Sequence, residues 1–157
     1  MDNEMLRRRI EALHTRYIQS IDQDQLEDWP DLFIETGLYK IITRENFDQG
    51  LPLAVMECRS RGMMQDRVTG LRRINFYEPQ RYLHQISGLT IDPVDNHSVK
   101  CRSNYLVVRT TGDGAMTLYS AGVYLDKIVL NGEGVKFEER IVVPDSRRIE
   151  TLLVIPL

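Results

Sequence analysis

Residues 98–143 read SVKCRSNYLVVRTTGDGAMTLYSAGVYLDKIVLNGEGVKFEERIVV. Three long runs rich in β-branched and aromatic residues are divided by two short glycine-bearing stretches, GDG at 112–114 and NGEG at 131–134. Asp113-Gly114 and Asn131-Gly132 are pairs that supply the positive φ of tight hairpin turns. The stretch therefore predicts three antiparallel strands, over 98–111, 115–130 and 135–143. Because both glycine stretches lie between strands and not before helices, they are turns and not phosphate loops. No G-x-S-x-G, Walker-type loop or G-x-G-x-x-G occurs elsewhere.

Working outward, YLHQISGLTI (82–91) predicts a further strand with a bend at Gly88. Past 143, Pro144-Asp145 separates a last predicted strand, RIETLLVIPL (148–157). Toward the N-terminus the period changes. Leu6, Ile10, Leu13, Tyr17 and Ile21 fall on one helical stripe, with Arg and Glu opposite, so a helix should run to about Asp22. Asp24 followed by Glu27 reads as a capping box for a second, short helical piece that Pro30 cuts off. Trp29 and Phe33 are four apart and should pack together on the core side. LYKIITREN (38–46) alternates as a strand, NFDQGLP (46–52) is rich in turn residues, and ECRSRGMMQDRVTGLRR (57–73) reads as a helix around Met63, Met64, Val68 and Leu71.

Helices segregated from a meander give an α+β class in one domain over residues 1–157. Long strands with internal glycines, Gly88 and Gly122, bend. A bent sheet with helices on its concave face makes a cone, with the Tyr17 stripe inside.

Composition narrows the function. The chain is 42% hydrophobic and 27% charged, the balance of a soluble globular protein. A net charge of −3 and a pI near 5.6 offer no basic field for nucleic acid. The arginines at 7–9 and 72–73 lie among acids and read as solvated or ion-paired faces. No apolar run approaches the length of about 20 residues that spans a bilayer, and the N-terminus lacks the apolar core of a signal peptide. A cytoplasmic location is expected, and with it Cys58 and Cys101 as reduced core thiols.

Motifs spread along the chain carry a resemblance. DWPDLF with YKI, REN and GLPL, then DRVTGLR, RYLHQISG, GVYLDKI and EERIVVPDS with an apolar tail, occur in this order and spacing. The chain resembles the small (β) subunit of aromatic-ring-hydroxylating dioxygenases. Within that family it looks most like subunits acting on aromatic carboxylates, such as those of salicylate 5-hydroxylase and terephthalate dioxygenase. The resemblance implies the cone-shaped fold of nuclear transport factor 2 (SnoaL-like), shared with scytalone dehydratase and ketosteroid isomerase. It also implies a large (α) subunit as partner in an α3β3 ring. That partner would carry a Rieske [2Fe–2S] cluster and a mononuclear Fe(II), fed from NAD(P)H through a reductase and a ferredoxin. This chain would supply architecture, with no catalytic, cofactor or metal residue of its own.

The residues can be tested against that implication. A Rieske cluster takes two Cys and two His. Here Cys58 and Cys101 are each followed by Arg-Ser, with no histidine nearby. A non-haem iron site takes two His and a carboxylate, and His14, His84 and His97 show no ligand-like spacing. A different reading remains open: a stand-alone isomerase, dehydratase or cyclase with an acid–base pocket built from Tyr17, Asp24, Tyr39, His84 and Tyr105. Against it stands the reading of His84 as a core or interface histidine and of the tyrosines as packing. A plain binding or scaffold module is a third.

The tail raises a separate question. Leu152, Leu153, Val154, Ile155 and Leu157 are apolar on both faces of any strand they form. One face should meet the chain's own cone and the other a partner subunit, which makes Leu153, Ile155 and Leu157 interface candidates; the alternative is that the end tucks under the chain's own helices. Arg67, from DRVTGLR, joins them. Arg140 and Asp145, in the R-x-V-x-x-D pattern of the resemblance, are expected to hold the turn before the last strand as a buried ion pair.

Overall fold

The computed structural model describes residues 2–74, 79–132, 134–146 and 155–157. Helix α1 (Asn3–Asp22) opens the chain. Asp2 caps it, its side chain accepting from the Glu4 N–H. The predicted stripe becomes the buried face, Ile10, Leu13, Tyr17 and Ile21, joined by His14 and Ser20. On the outer face Arg7–Glu11 and Arg8–Glu4 pair one turn apart, as the charge pattern implied. Leu13 is fully buried, whereas Arg9 is half-buried on the outer face. Leu13→Ala should cost roughly 2–5 kcal/mol and Arg9→Ala no more than about 0.5 kcal/mol in urea melts. Equal costs would mean that this helix is not packed as described.

After α1 the structure departs from expectation. Asp24 and Glu27 cap no helix. Asp24 sits at φ +55 in the chain reversal. Residues 25–29 make only i→i+3 turns, ahead of a single 3-10 turn at Pro30–Leu32 that has the proline in its first positions. Without a following α-helix there are no orphan N–H groups to cap, and both acids turn to Arg72. Trp29 and Phe33 do pack, edge to face at 6.0 Å.

The described residues form a six-stranded sheet: β1 (Phe33–Ile41), β2 (Met56–Cys58), β3 (Gln80–Pro93), β4 (Ser98–Thr111), β5 (Met116–Asn131) and β6 (Gly134–Pro144). Their spatial order is β2-β1-β6-β5-β4-β3, all antiparallel except for β1 against β6. Strand β1 begins five residues before the predicted start, at Phe33, and REN forms helix α2 (Arg44–Asp48) with Thr43 as its cap. Helix α3 (Arg61–Arg73) starts at its own cap, Ser60, so the preceding Glu57 and Cys58 belong to β2. The two hairpin turns have the glycine conformation their sequence demanded, φ +86 at Gly114 and +55 at Gly132.

One expected glycine breaks the register of its strand and the other lets two strands close. Gly88 takes φ +64 within a register shift of β3 on β4. At Gly122 a Cβ would stand 2.1 Å from the Val143 carbonyl, so only glycine lets β5 and β6 close there. The concave face then wraps α1, and the core runs from Ile10 and Tyr17 through Trp29 and Tyr39 to Phe137. A smaller apolar group, Ile42, Val123 and Val143, lies on the other face. Both cysteines are free and buried, and burial pushes their thiols up, Cys101 to about 12. At neutral pH both are protonated and unreactive.

Candidate functional site

Inside the cone the inward positions of β5 and β6 meet. Register places Asp126 opposite Arg140. Arg140 Nε and Nη2 donate to the two Asp126 oxygens at 2.8 and 2.7 Å, and both side chains are fully buried. The guanidinium is flanked by Tyr17 and Tyr124, each 4.1 Å from ring centroid to Cζ, with Phe137 at 4.2 Å. From α1, His14 Nε2 donates to Asp126 at 3.1 Å.

This arrangement corrects one expectation. Arg140 pairs with Asp126, not with Asp145. Strand side chains alternate faces, so a residue five positions along from an inward arginine points away from it. Asp145 instead accepts from Arg44 at 2.8 Å on the surface, and its N–H holds the Ala121 carbonyl. Asp126 and His14 were not singled out from sequence, though both leave a signal. Asp126 falls in the inward register of Tyr124 and Ile128, and His14 lies on the apolar stripe four residues after Ile10.

Electrostatics follow from burial. Burial alone would raise the Asp126 carboxyl, but the Arg140 charge and its hydrogen bonds hold it below its ordinary value. Burial lowers the His14 imidazole against the pull of Asp126, so His14 is neutral at pH 7. The consequence for stability has a sign. An imidazole whose folded pKa lies below 6.5 is protonated first in the unfolded chain. Its contribution is complete above that pH and is lost as pH falls toward the folded value. Asp126 adds a second loss, at pH below 3.8. Urea melts should therefore show weaker folding at pH 5.5 than at 7.5, and His14→Gln should flatten that difference. A difference unchanged in the variant would remove His14 from the account.

The other sequence candidates divide. Tyr17, Tyr39 and Tyr105 do line the interior, and Tyr105 stacks on Tyr124 at 4.6 Å. Burial raises all of them, Tyr17 to about 12, so none ionises near neutrality. His84 points inward from β3 and is fixed by a residue that went unnoticed in the sequence, Asp22 at the end of α1. Asp22 accepts from the His84 main-chain N–H at 2.8 Å and from Nδ1 at 2.5 Å. Nε2 of His84 is buried with no partner. Asp24 is not part of this group, because its side chain is exposed and held by Arg72 at 2.8 Å. Arg67 lies half-buried on α3, its charge felt by Cys58 on β2.

The described end of the tail, residues 155–157, packs against its own chain. Leu157 is 1% exposed and Ile155 packs against the same core. The Leu157 N–H donates to the Tyr39 hydroxyl at 2.9 Å. Its main-chain oxygen accepts from Tyr39 at 3.1 Å and, in a closer contact, from Tyr17. A partner surface is thus not what buries Leu157; the aromatic interior has room for one leucine and the hydroxyls to hold its backbone. Leu153 and most of the predicted last strand lie outside the described residues.

No cluster among the described residues brings together three His, Cys, Asp or Glu side chains fit to hold a metal. His14 and His84 are each committed to a different carboxylate, and His97 sits on an exposed turn. Neither a Rieske cluster nor a mononuclear iron fits these positions.

Known proteins match this cone along nearly its whole length. A SnoaL-like domain family covers residues 5–141. The small subunit of anthranilate 1,2-dioxygenase from Burkholderia cepacia is 39% identical, over 94% of this chain and 92% of the relative. This chain belongs to the small-subunit family of aromatic-ring-hydroxylating dioxygenases. Another member, subunit β 2 of the terminal oxygenase component of terephthalate 1,2-dioxygenase from Comamonas, is 32% identical over 94% of this chain and 96% of its own. A crystal structure from Novosphingobium aromaticivorans, of a β subunit assigned to these ring-hydroxylating dioxygenases, superposes with a TM-score of 0.90. It shares 38% identity and covers 98% of both chains. As a dioxygenase β subunit the chain is part of an oxidoreductase of aromatic catabolism. No helix among its described residues is long and apolar enough to cross a membrane.

Proposed function

We propose that this chain is the non-catalytic, one-domain β subunit of a terminal oxygenase whose large subunit holds the Rieske cluster and the iron, in an α3β3 assembly. Electrons reach it from NAD(P)H through a reductase and a ferredoxin, and the substrate is an aromatic carboxylate. The observation that carries the architectural role is the filled interior. Arg140, its three aromatic neighbours and Leu157 fill the interior around Tyr17 and Tyr39. The substrate class rests on the relatives' names, since anthranilate and terephthalate are both aromatic carboxylates. Arg67 and Ile155 stay candidates for contact with the large subunit.

A second reading, a stand-alone isomerase, dehydratase or cyclase, is favoured by one observation. The Asp22–His84 pair has the form of a positioned base with a free Nε2. His84→Asn, assayed in the oxygenase reconstituted with its large subunit, distinguishes the two. A structural His84 leaves turnover within a few-fold of wild type. A loss on the order of 10³ with assembly intact would place acid–base chemistry on this chain.

A further inference from the structure

Leu157 is held as a ligand is held. A branched apolar side chain is enclosed by aromatic residues while two tyrosine hydroxyls, from α1 and β1, converge on one main-chain oxygen. The walls also carry more donors than the tail satisfies. Tyr124 Oη, Trp29 Nε1 and Arg140 Nη1 are buried without hydrogen-bond partners among the described residues. They belong to the same packed group, because Trp29 meets Tyr39 edge-on at 5.1 Å and Arg140 lies between Tyr17 and Tyr124. Buried donors left unpaired are costly, and the cost is relieved by any occupant that brings acceptor oxygens. Ile155 lies in the wall of a surface cavity of about 870 Å³ bordered by Ile21, Asp22, Arg81 and Tyr82, and also packs against the core that holds Leu157.

We propose that the chamber filled by Leu157 is a latent binding site for a small carboxylate with a leucine-sized branched or single-ring body, and that residues 155–157 occupy it in competition with that ligand. The carboxylate oxygens take the place of the Leu157 main-chain oxygen between Tyr17 and Tyr39, and the apolar body replaces the leucyl side chain. An apolar cavity emptied of its side chain takes up small molecules of matching shape. Binding to the folded state alone must then stabilise it. The proposal does not depend on the oxygenase reading.

The test compares the full chain with a variant lacking residues 155–157, using 4-methylpentanoate as probe and 4-methylpentylamine as a body-matched molecule without the acceptor. In the shortened chain 4-methylpentanoate should raise the melting temperature by about 5 °C or more at saturation. The amine should not, and Tyr17→Phe combined with Tyr39→Phe should abolish the rise. No rise, or an equal rise with the amine, overturns the proposal. The full chain gives an independent reading should the shortened one fail to fold. Saturating 4-methylpentanoate should speed hydrogen exchange of the Leu157 amide several-fold by displacing the tail, and an unchanged rate overturns the proposal as well.

Discussion

Replacing Arg140 by methionine should destabilise the chain by roughly 3–5 kcal/mol, because it leaves Asp126 as a buried carboxylate without its counter-charge. Asp126→Asn should cost a similar amount by leaving the guanidinium buried without its counter-charge. The double variant Arg140→Met/Asp126→Asn removes both charges, keeps a side-chain oxygen for His14, and leaves methionine between the rings. It should be less destabilised than the sum of the singles by about 2 kcal/mol or more. Urea melts of the four proteins at pH 7.5 measure this coupling, and strict additivity would mean that the pair does not act as a unit. Arg140→Lys should not rescue, since an ammonium makes neither the two parallel bonds to Asp126 nor the flat contact with Tyr17 and Tyr124. Against a total stability of about 5–15 kcal/mol for a domain, either single change approaches unfolding.

Deleting residues 155–157 should be nearly as severe in the isolated chain. Burying one leucine side chain contributes about 1.5–3 kcal/mol and each of the three hydrogen bonds to Tyr17 and Tyr39 about 1 kcal/mol. The expected loss is therefore roughly 4–6 kcal/mol, a fall in melting temperature of about 10–20 °C for a chain of this length. Size-exclusion chromatography with the large subunit, run beside the melt, separates two functions of the tail. A shortened chain that melts near the wild-type temperature yet fails to assemble would return the tail to the partner interface. The structure expects the opposite order, with stability lost first.

The two predictions mark where sequence reasoning stopped. Helix α1 was legible because its apolar residues recur with the helical period, and that period depends only on neighbours along the chain. The hairpins were legible at Gly114 and Gly132, the irregularity of β3 at Gly88 and the need for a glycine at 122, because a glycine at a turn or inside a long strand reports a local backbone need. The α+β class followed from the order of such elements, whereas the small-subunit family came as a resemblance carried by motifs such as DWPDLF and EERIVVPDS. The acids after α1 were misread for the same reason that the rest succeeded. Asp24 and Glu27 have the spacing of a cap, and only the packing of α3 against that turn gives them Arg72 instead.

What the sequence determined by itself was the first helix, the long strands with their hairpin turns, and the apolar faces awaiting cover, all set by spacings within a dozen residues. What only the tertiary structure decided was which distant groups meet. It paired Arg140 with Asp126, Asp22 with His84, β1 in parallel with β6, and Leu157 with Tyr17 and Tyr39. An apolar tail announces that it must be buried but not by what, since hydrophobic burial has no direction. A buried charge must be paired, but strand register, set by every side chain along two ladders at once, chooses its partner.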